Sequence, residues 1–314
     1  MTLLNKAKFQ GRDFICLHDF SKEEIANMIE VAHQLKLETK KGIPHPLLKG
    51  KTLAMIFTKS STRTRVAFEV GIYQLGGYGL FLSDRDIQIG RGETIEDTAR
   101  VLSRMVDGIM IRTFSHQQVT DLAKHATVPV INGLSDLLHP TQVLADLLTI
   151  KEHKGKLEGL KLTYIGDGNN MANSLMLGGA KMGLHVVIAS PDGYKPDEQI
   201  VAIAQKDAKV NGGLVEIMTD PAAAAKNADV LYTDVWASMG QEDEAELRKK
   251  AFEGYQINEG ILKLAKPEAI VLHCLPAHRG EEITHEVIEG PQSVVFDEAE
   301  NRLHAHKAIM ALVM

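Results

Sequence analysis

The chain has 314 residues, of which 44% are hydrophobic, with a formal net charge of -6 and two cysteines. That length exceeds the roughly 250 residues at which single cores stop growing, so two domains are expected. The negative balance, with no Lys/Arg block, argues against a nucleic-acid partner; two distant cysteines, Cys16 and Cys274, exclude a disulfide framework and predict reduced thiols.

No apolar run approaches transmembrane length, and the opening residues Met1 to Lys8 lack the apolar core of a signal peptide. No membrane association and a cytoplasmic location are therefore expected. Asp19-Phe-Ser21-Lys-Glu-Glu24 has capping-box spacing, and Ile25, Met28, Ile29 and Ala32 continue with helical period, which predicts a helix to about residue 38. Residues 51–57 read as a short buried strand. Phe68, Ile72 and Leu75 then recur on one helix face, Gly76-Gly77 closes that helix, and residues 78–82 read as a second strand.

Between the first strand and its helix stands Lys59-Ser-Ser-Thr-Arg-Thr-Arg65. A plain N-cap needs one hydroxyl, and cations are disfavoured at a helix N-terminus unless an anion compensates them. Three hydroxyls and two guanidiniums here predict a phosphate site without a Walker lysine.

Thr94-Ile-Glu-Asp97 offers another capping box, with Ile95, Ala99, Leu102 and Met105 on one face. Residues 108–111 and 128–131 follow as strands separated by a helix, and this alternation predicts a parallel sheet. Arg112 stands at the end of one strand, a candidate second phosphate arm. His139-Pro-Thr-Gln142 leads into another helix with Pro140 at its first position.

Gly155 to Gly159 reads as a connection near the domain boundary. Beyond it, residues 161–165, 184–189, 214–218, 230–232 and 269–272 are strand-like with helical patterns between, a second α/β domain. Residues 299–313 are expected to form an amphipathic helix with Leu303, Ile309 and Leu312. In parallel sheets ligands bind beyond the carboxyl ends of strands, which selects the polar residues to weigh there.

Gly166-Asp-Gly168-Asn169-Asn170 sits where a dinucleotide turn would, but Met171 replaces the third glycine, and the strand ending at Ala189 leads to Ser190-Pro191 rather than an acid. An NAD-dependent oxidoreductase is the rival class this argues against. Asn169 and Asn170 instead offer amides for an amino-acid backbone. Asp234-Val-Trp-Ala-Ser238-Met239-Gly240 places a carboxylate suited to an ammonium after a strand. Cys274, within His273-Cys-Leu-Pro-Ala-His278, lies at another strand end. A Cys beside a His suggests a nucleophile or a metal site, but neighbours on extended backbone point apart, and His304-Ala-His306 lacks a ligand pattern. A polar contact from Cys274 to substrate is the more economical role.

Four segments, Ser61-Thr-Arg-Thr-Arg65, His139-Pro-Thr-Gln142, Asp234 to Gly240 and His273 to His278, resemble in that order the carbamoyltransferase family across essentially the whole chain. The first two are shared with the aspartate-using branch; the last two look like the ornithine-using branch. The resemblance implies two α/β domains, each a mostly parallel sheet flanked by helices, with the active site in the interdomain cleft. Residues 1–150 would bind carbamoyl phosphate, with helix 299–314 packing back on them, and residues 151–298 would bind ornithine. The implied reaction moves the carbamoyl group of carbamoyl phosphate to the side-chain amine of L-ornithine, giving citrulline and phosphate within arginine metabolism, with no cofactor and no metal.

By the same resemblance Ser61, Thr62, Arg63, Thr64 and Gln88 hold the phosphate, Gln88 coming from a neighbouring subunit of a homotrimer or a multiple of it. Arg112, His139 and Gln142 reach the carbamoyl end, and Asn170, Asp234, Ser238 and Met239 bind ornithine. Cys274, Leu275 and Arg302 complete the site, and residues 238–240 are expected to act as a mobile lid. Arg112, His139, Asp234 and Cys274 are the catalytic candidates, whereas Arg65 receives no ligand role. Another amine acceptor, such as putrescine, acetylornithine or aspartate, is the nearest alternative activity, and a silent scaffold is a further one.

Overall fold

A computed structural model describes residues 6–237 and 242–314. By internal packing the chain forms two units, Met1–Leu148 with Glu300–Met314, and Thr149–Ala299.

The first unit begins with α1 (Lys22–Lys40), whose Ser21 and Glu24 form the full capping box. Then come β1 (Thr52–Phe57), α2 (Thr62–Gln74), β2 (Tyr78–Ser83), α3 (Ile95–Leu102), β3 (Gly108–Arg112), α4 (His116–His125), β4 (Val130–Leu134) and α5 (Pro140–Lys154). Only half of the second expected capping box forms: the Thr94 hydroxyl accepts from Asp97 N–H, while the Asp97 carboxylate accepts from Arg100. Strand β4 starts two residues later than its apolar run because Pro129 has no N–H for the ladder.

The first sheet has the order β2-β1-β3-β4, with every pairing parallel. The chain leaves β1 toward β2 and then returns to its other side for β3. The crevice beyond the carboxyl ends of β1 and β3 is thus the switch point of the sheet. Ala54, Ile56, Ile109 and Ile111 from the strands meet Ala99, Val119 and Leu122 from α3 and α4 in one core.

The second unit follows with β5 (Lys161–Ile165), α6 (Asn170–Lys181), β6 (His185–Ala189), α7 (Glu198–Asn211), β7 (Leu214–Met218), α8 (Pro221–Ala225) and β8 (Val230–Thr233). It continues with α9 (Ala245–Ala251), α10 (Glu259–Leu262), β9 (Ile270–His273), α11 (His285–Ile288) and α12 (Val295–Val313). Its sheet, β7-β6-β5-β8-β9, is also wholly parallel, with its switch point between β5 and β8.

By packing the division falls inside α5, between Leu148 and Thr149, and the last turn of α5 lies in the second unit, where Lys154 Nζ donates to the Glu268 carbonyl at 2.8 Å. One expectation needs correction. The final helix starts earlier than expected and is not amphipathic. From Asn301 to Met314 every residue but Leu303 is buried, so Arg302, His304, His306 and Lys307 are interior groups rather than a wet face. Among the described residues no helix is long and apolar enough to cross a membrane.

Candidate active site

The carboxyl end of β1 turns directly into α2. Ser61, extended at φ -164°, is the N-cap, and its Oγ accepts from the Thr64 N–H at 3.1 Å. The first N–H groups of a helix lack intrahelical acceptors and carry the positive end of its dipole. Arg63 stands half-buried in that first turn and forms no ion pair or side-chain hydrogen bond among the described residues. A cation so placed is unfavourable in an empty site and favourable beside an anion.

Thr64, fully buried, is the meeting point of this side. Its Oγ1 accepts from Arg112 Nη1 at 3.2 Å and from Arg302 Nη2 at 2.7 Å. With both lone pairs engaged, the hydroxyl hydrogen is left to donate outward. Arg302 Nη1 also donates to Gln142 Oε1 at 2.6 Å, and the Gln142 amide donates to Asp146 at 2.8 Å, which fixes which way that amide faces. Residues from β3, α5 and α12, up to 238 positions apart, thus converge on the first turn of α2.

His139, immediately before α5, is buried, and its ring is held well below the ordinary histidine range by burial and then by the positive Arg302 and Arg112. It is a neutral imidazole, a hydrogen-bonding group rather than a charge. Thr62 and Gln88 are exposed; Gln88 begins a short 3-10 turn and makes no side-chain bond to this group among the described residues. Arg65 points elsewhere, with Nε donating to Glu69 and its guanidinium 3.6 Å from the Phe81 ring centroid.

The second unit gathers its polar groups at its own switch point. Asp234, just past β8, is buried and accepts at Oδ2 from Asn169 Nδ2 at 3.0 Å, across from the end of β5. Asn169 is itself locked, because its Oδ1 caps α6 by accepting from Met171 and Ala172 N–H. The other Asp234 oxygen accepts from Val235 N–H at 2.8 Å and from the half-buried Cys274 thiol at 3.0 Å. Asn170, half-buried, is the first residue of α6.

His273 does not activate Cys274. Its Nδ1 accepts from Leu275 N–H at 2.9 Å, which makes Nε2 the protonated nitrogen that donates to Glu282 at 2.9 Å. Its backbone N–H donates to Glu298, which also accepts from the Tyr232 hydroxyl. With both ring nitrogens engaged, His273 is not offered to a metal beside Asp234 and Cys274. Its role is to hold Leu275 at φ +55°, a conformation costing a non-glycine residue on the order of 1 kcal/mol.

Sequence reasoning missed a second tether. Arg248 on α9 donates to Asp167 at 2.9 Å, to the Trp236 carbonyl at 2.9 Å and to Glu244 at 3.0 Å. It thereby pins the loop after β8 to the loop after β5. Burial is the main reason the Asp167 carboxyl rises to about 6 despite its guanidinium partner. The only local signal was the Glu244 to Arg248 spacing of four. Trp236 stacks on Phe252 at 5.6 Å. Ser238 and Met239, expected to bind the amino acid, lie outside the described residues.

The glycine-rich turn after β5 is closed to a dinucleotide. A Cβ on Gly168 would meet Pro196 N at 2.2 Å and Lys195 C at 2.3 Å, and the Gly168 N–H donates to the Tyr194 carbonyl. The close approach that would admit a pyrophosphate is taken by the chain's own backbone.

Two parallel α/β units, one presenting a cationic helix start and the other a buried carboxylate at its switch point, define a protein equipped for an anion and for a cationic group. The chain belongs to the aspartate/ornithine carbamoyltransferase family: residues 12–152 match its carbamoyl-P binding domain model and residues 158–313 its Asp/Orn binding domain model. The second match runs through the last helix, whereas packing assigns Glu300–Met314 to the first unit. A family model follows chain order, and packing does not.

The chain is 63% identical over 305 residues to an ornithine carbamoyltransferase of Symbiobacterium thermophilum, covering 97% of this chain and 98% of the relative. It is 59% identical over 304 residues to the anabolic ornithine carbamoyltransferase of Pyrococcus furiosus, covering 97% and 96%. The solved structure of a Pyrococcus furiosus ornithine carbamoyltransferase superposes with a TM-score of 0.95, covering 97% of each chain.

Proposed function

We propose that this protein transfers the carbamoyl group from carbamoyl phosphate to the side-chain amine of L-ornithine, releasing L-citrulline and phosphate. The observation that carries this reading is the first turn of α2. There Arg63 stands without a counter-ion among the described residues, and Thr64 receives both Arg112 and Arg302. Ser61, Thr62, Arg63 and Thr64, with Gln88 of a second copy, hold the phosphate. Arg112, His139, Gln142 and Arg302, together with Cys274 and Leu275, serve the carbamoyl end. Asn170, Asp234, Ser238 and Met239 bind ornithine.

The neutral amine attacks the carbonyl carbon, and a C–N bond forms as the carbonyl oxygen becomes an oxyanion. Arg112, neutral His139 and the outward Thr64 hydroxyl supply hydrogen bonds to that oxygen. The intermediate then collapses: the C–O bond to phosphate breaks, phosphate leaves with the electron pair toward Arg63 and the helix terminus, and the amine nitrogen gives its proton to the departing phosphate, which leaves as hydrogen phosphate. Ornithine's amine is ordinarily protonated near neutral pH, so orientation by Asp234 and the Cys274 thiol acts on the neutral form. Residues 1–150 with the last helix form the carbamoyl-phosphate domain and residues 151–298 the ornithine domain.

The protein works in the cytoplasm, in arginine biosynthesis, as a homotrimer or a multiple of trimers. An exposed apolar stripe on α2, Val66, Val70 and Tyr73 at i, i+4 and i+7, supports a copy-to-copy contact beside exposed Tyr78 at the edge of β2. Its molar mass by light scattering tests this. The activity is tested by incubating carbamoyl phosphate with ornithine, putrescine, acetylornithine and aspartate. Citrulline from ornithine is the expected product, and its absence sinks the reading.

A further inference from the structure

Helix α12 lies along α2 in matched register: Arg302 meets Thr64 and, one turn on, His306 stacks over Phe68 with ring centroids 4.1 Å apart. The approach is close at Gly71, where a Cβ would meet Met310 Cε at 2.9 Å and Lys307 Cγ at 3.2 Å. These contacts set the spacing of the two helices, and they are non-directional. The His306 ring, fully buried, has no hydrogen-bond partner on either nitrogen among the described residues, so it too leaves sliding unopposed.

Arg302 nevertheless needs a fixed register. Its bonds to Gln142 and Thr64 are 2.6 and 2.7 Å, and sliding α12 by the ~1.5 Å rise of one residue would break both. Toward α1 the buried Lys36 Nζ donates to Asn301 Oδ1 at 2.8 Å, and the directional element that reaches α2 below Arg302 is Lys307, which is fully buried. Its Nζ donates to Thr39 Oγ1 at 2.7 Å on α1, to Gln74 Oε1 at 2.8 Å at the end of α2, and approaches His45 Nε2 at 3.2 Å. Three donors meet three acceptors. His45 is set to accept because its Nδ1 faces the Ile43 carbonyl at 3.1 Å and Glu38 at 3.3 Å.

We propose that Lys307 is a positioning residue for the anion site, locking α12 in register on α2 so that Arg302 stays on Thr64 in the geometry that receives the phosphate-bearing substrate. The proposal rests on the reading of that site as the carbamoyl-phosphate site. The charged and titratable groups that face Lys307 are Glu38 from α1, His45 from the following segment and His304 on α12; α2 contributes neutral Gln74. Burial brings the lysine down to about 8, with Glu38 opposing. Above that pH two donors face three acceptors, and the lock loosens.

Steady-state kinetics of the full-length protein test this. Lys307→Met is expected to raise KM for carbamoyl phosphate about tenfold while KM for ornithine moves less than about twofold, a split that a merely structural loss does not produce. Combined with Arg302→Met it is expected to add nothing, because both act on one contact. In the wild type KM for carbamoyl phosphate is expected to rise as pH passes about 8, and this limb is expected to be absent from Lys307→Met. Should Lys307→Met fail to fold, Gln74→Met and Thr39→Val, each removing one acceptor, are expected to raise the same KM about threefold.

An unchanged KM in a folded variant, or full additivity with Arg302→Met, overturns the proposal. Wild-type protein without carbamoyl-phosphate-dependent turnover would instead overturn the underlying reading, a failure seen before any variant is compared.

Discussion

At the switch point of the first sheet stand Arg63, Arg112 and Arg302; at that of the second stand Asp234, Asp167 and the Cys274 thiol. Both sheets are parallel and both place their loops by the same crossover rule, so the difference lies in the sign of the charge that each unit buries. In the first unit the positive surroundings act with burial on the histidines. His139 is held well down by burial and by Arg302 and Arg112, His306 by burial and Arg302, and His304 is lowered to about 3 by burial and neighbouring lysines. In the second unit burial acts on a carboxyl instead, and Asp167 rises to about 6. One topology thus gathers guanidiniums at one switch point and carboxylates at the other.

Removing the cation is the largest way to break that contrast. Arg63→Gly is expected to lower kcat/KM for carbamoyl phosphate about 10²–10³-fold, the range seen when one donor to a developing anion is lost. Circular dichroism should stay at the wild-type spectrum, and wild-type turnover would falsify the phosphate role. Asp234→Asn strikes the other side. It is expected to lower kcat/KM for ornithine about 10²-fold while equilibrium binding of carbamoyl phosphate is unchanged; a parallel loss of both would mean that the charges do not divide between the units.

Acid sharpens the comparison through stability. His139, His304 and His306 are neutral in the fold and titrate near 6.5 when unfolded. Above pH 6.5 they contribute no slope. Below it the unfolded chain takes up the protons first, and stability falls by up to about 1.4 kcal/mol per pH unit per histidine. Asp167 has the opposite sign: with its folded value raised to about 6, it protonates in the fold first, and acidification toward 4 favours the folded state. Hydrogen-exchange protection of α12 is therefore expected to fall more between pH 7 and 5 than that of β5 to β8. Equal losses would remove the electrostatic part of the contrast. The smallest effect belongs to Cys274→Ser, about a fivefold rise in KM for ornithine, with no carbamoylated Cys274 peptide in the wild type by mass spectrometry.

What the sequence made legible was local. Ser21 to Glu24 showed its cap, the apolar runs showed the strands, and Ser61 to Thr64 showed a helix start with its hydroxyl cap, because each depends on residues a few positions apart. The burial of α12 was not legible. Arg302, His304, His306 and Lys307 spell a polar face, and what makes them interior are partners such as Thr64, Gln142 and Thr39, 160 to 268 positions away. His273 and Cys274 were legible as far as the alternation of an extended backbone goes: adjacent in sequence, they point apart and serve different neighbours, Glu282 and Asp234, which only the fold could name. Arg65 received no role from the local pattern, and its stack on Phe81 needed the second strand in place.

The arrangement around Arg248 has a spectroscopic consequence. The chain carries a single tryptophan, Trp236, which is 8% exposed, stacked on Phe252 and held at its carbonyl by the guanidinium that also grips Asp167. Its indole lies two residues beyond Asp234 and reports from the second unit alone. Native emission should be blue-shifted, and a change in it on adding an amino acid reads the rearrangement of that loop directly, in unlabelled protein and without any background from the first unit.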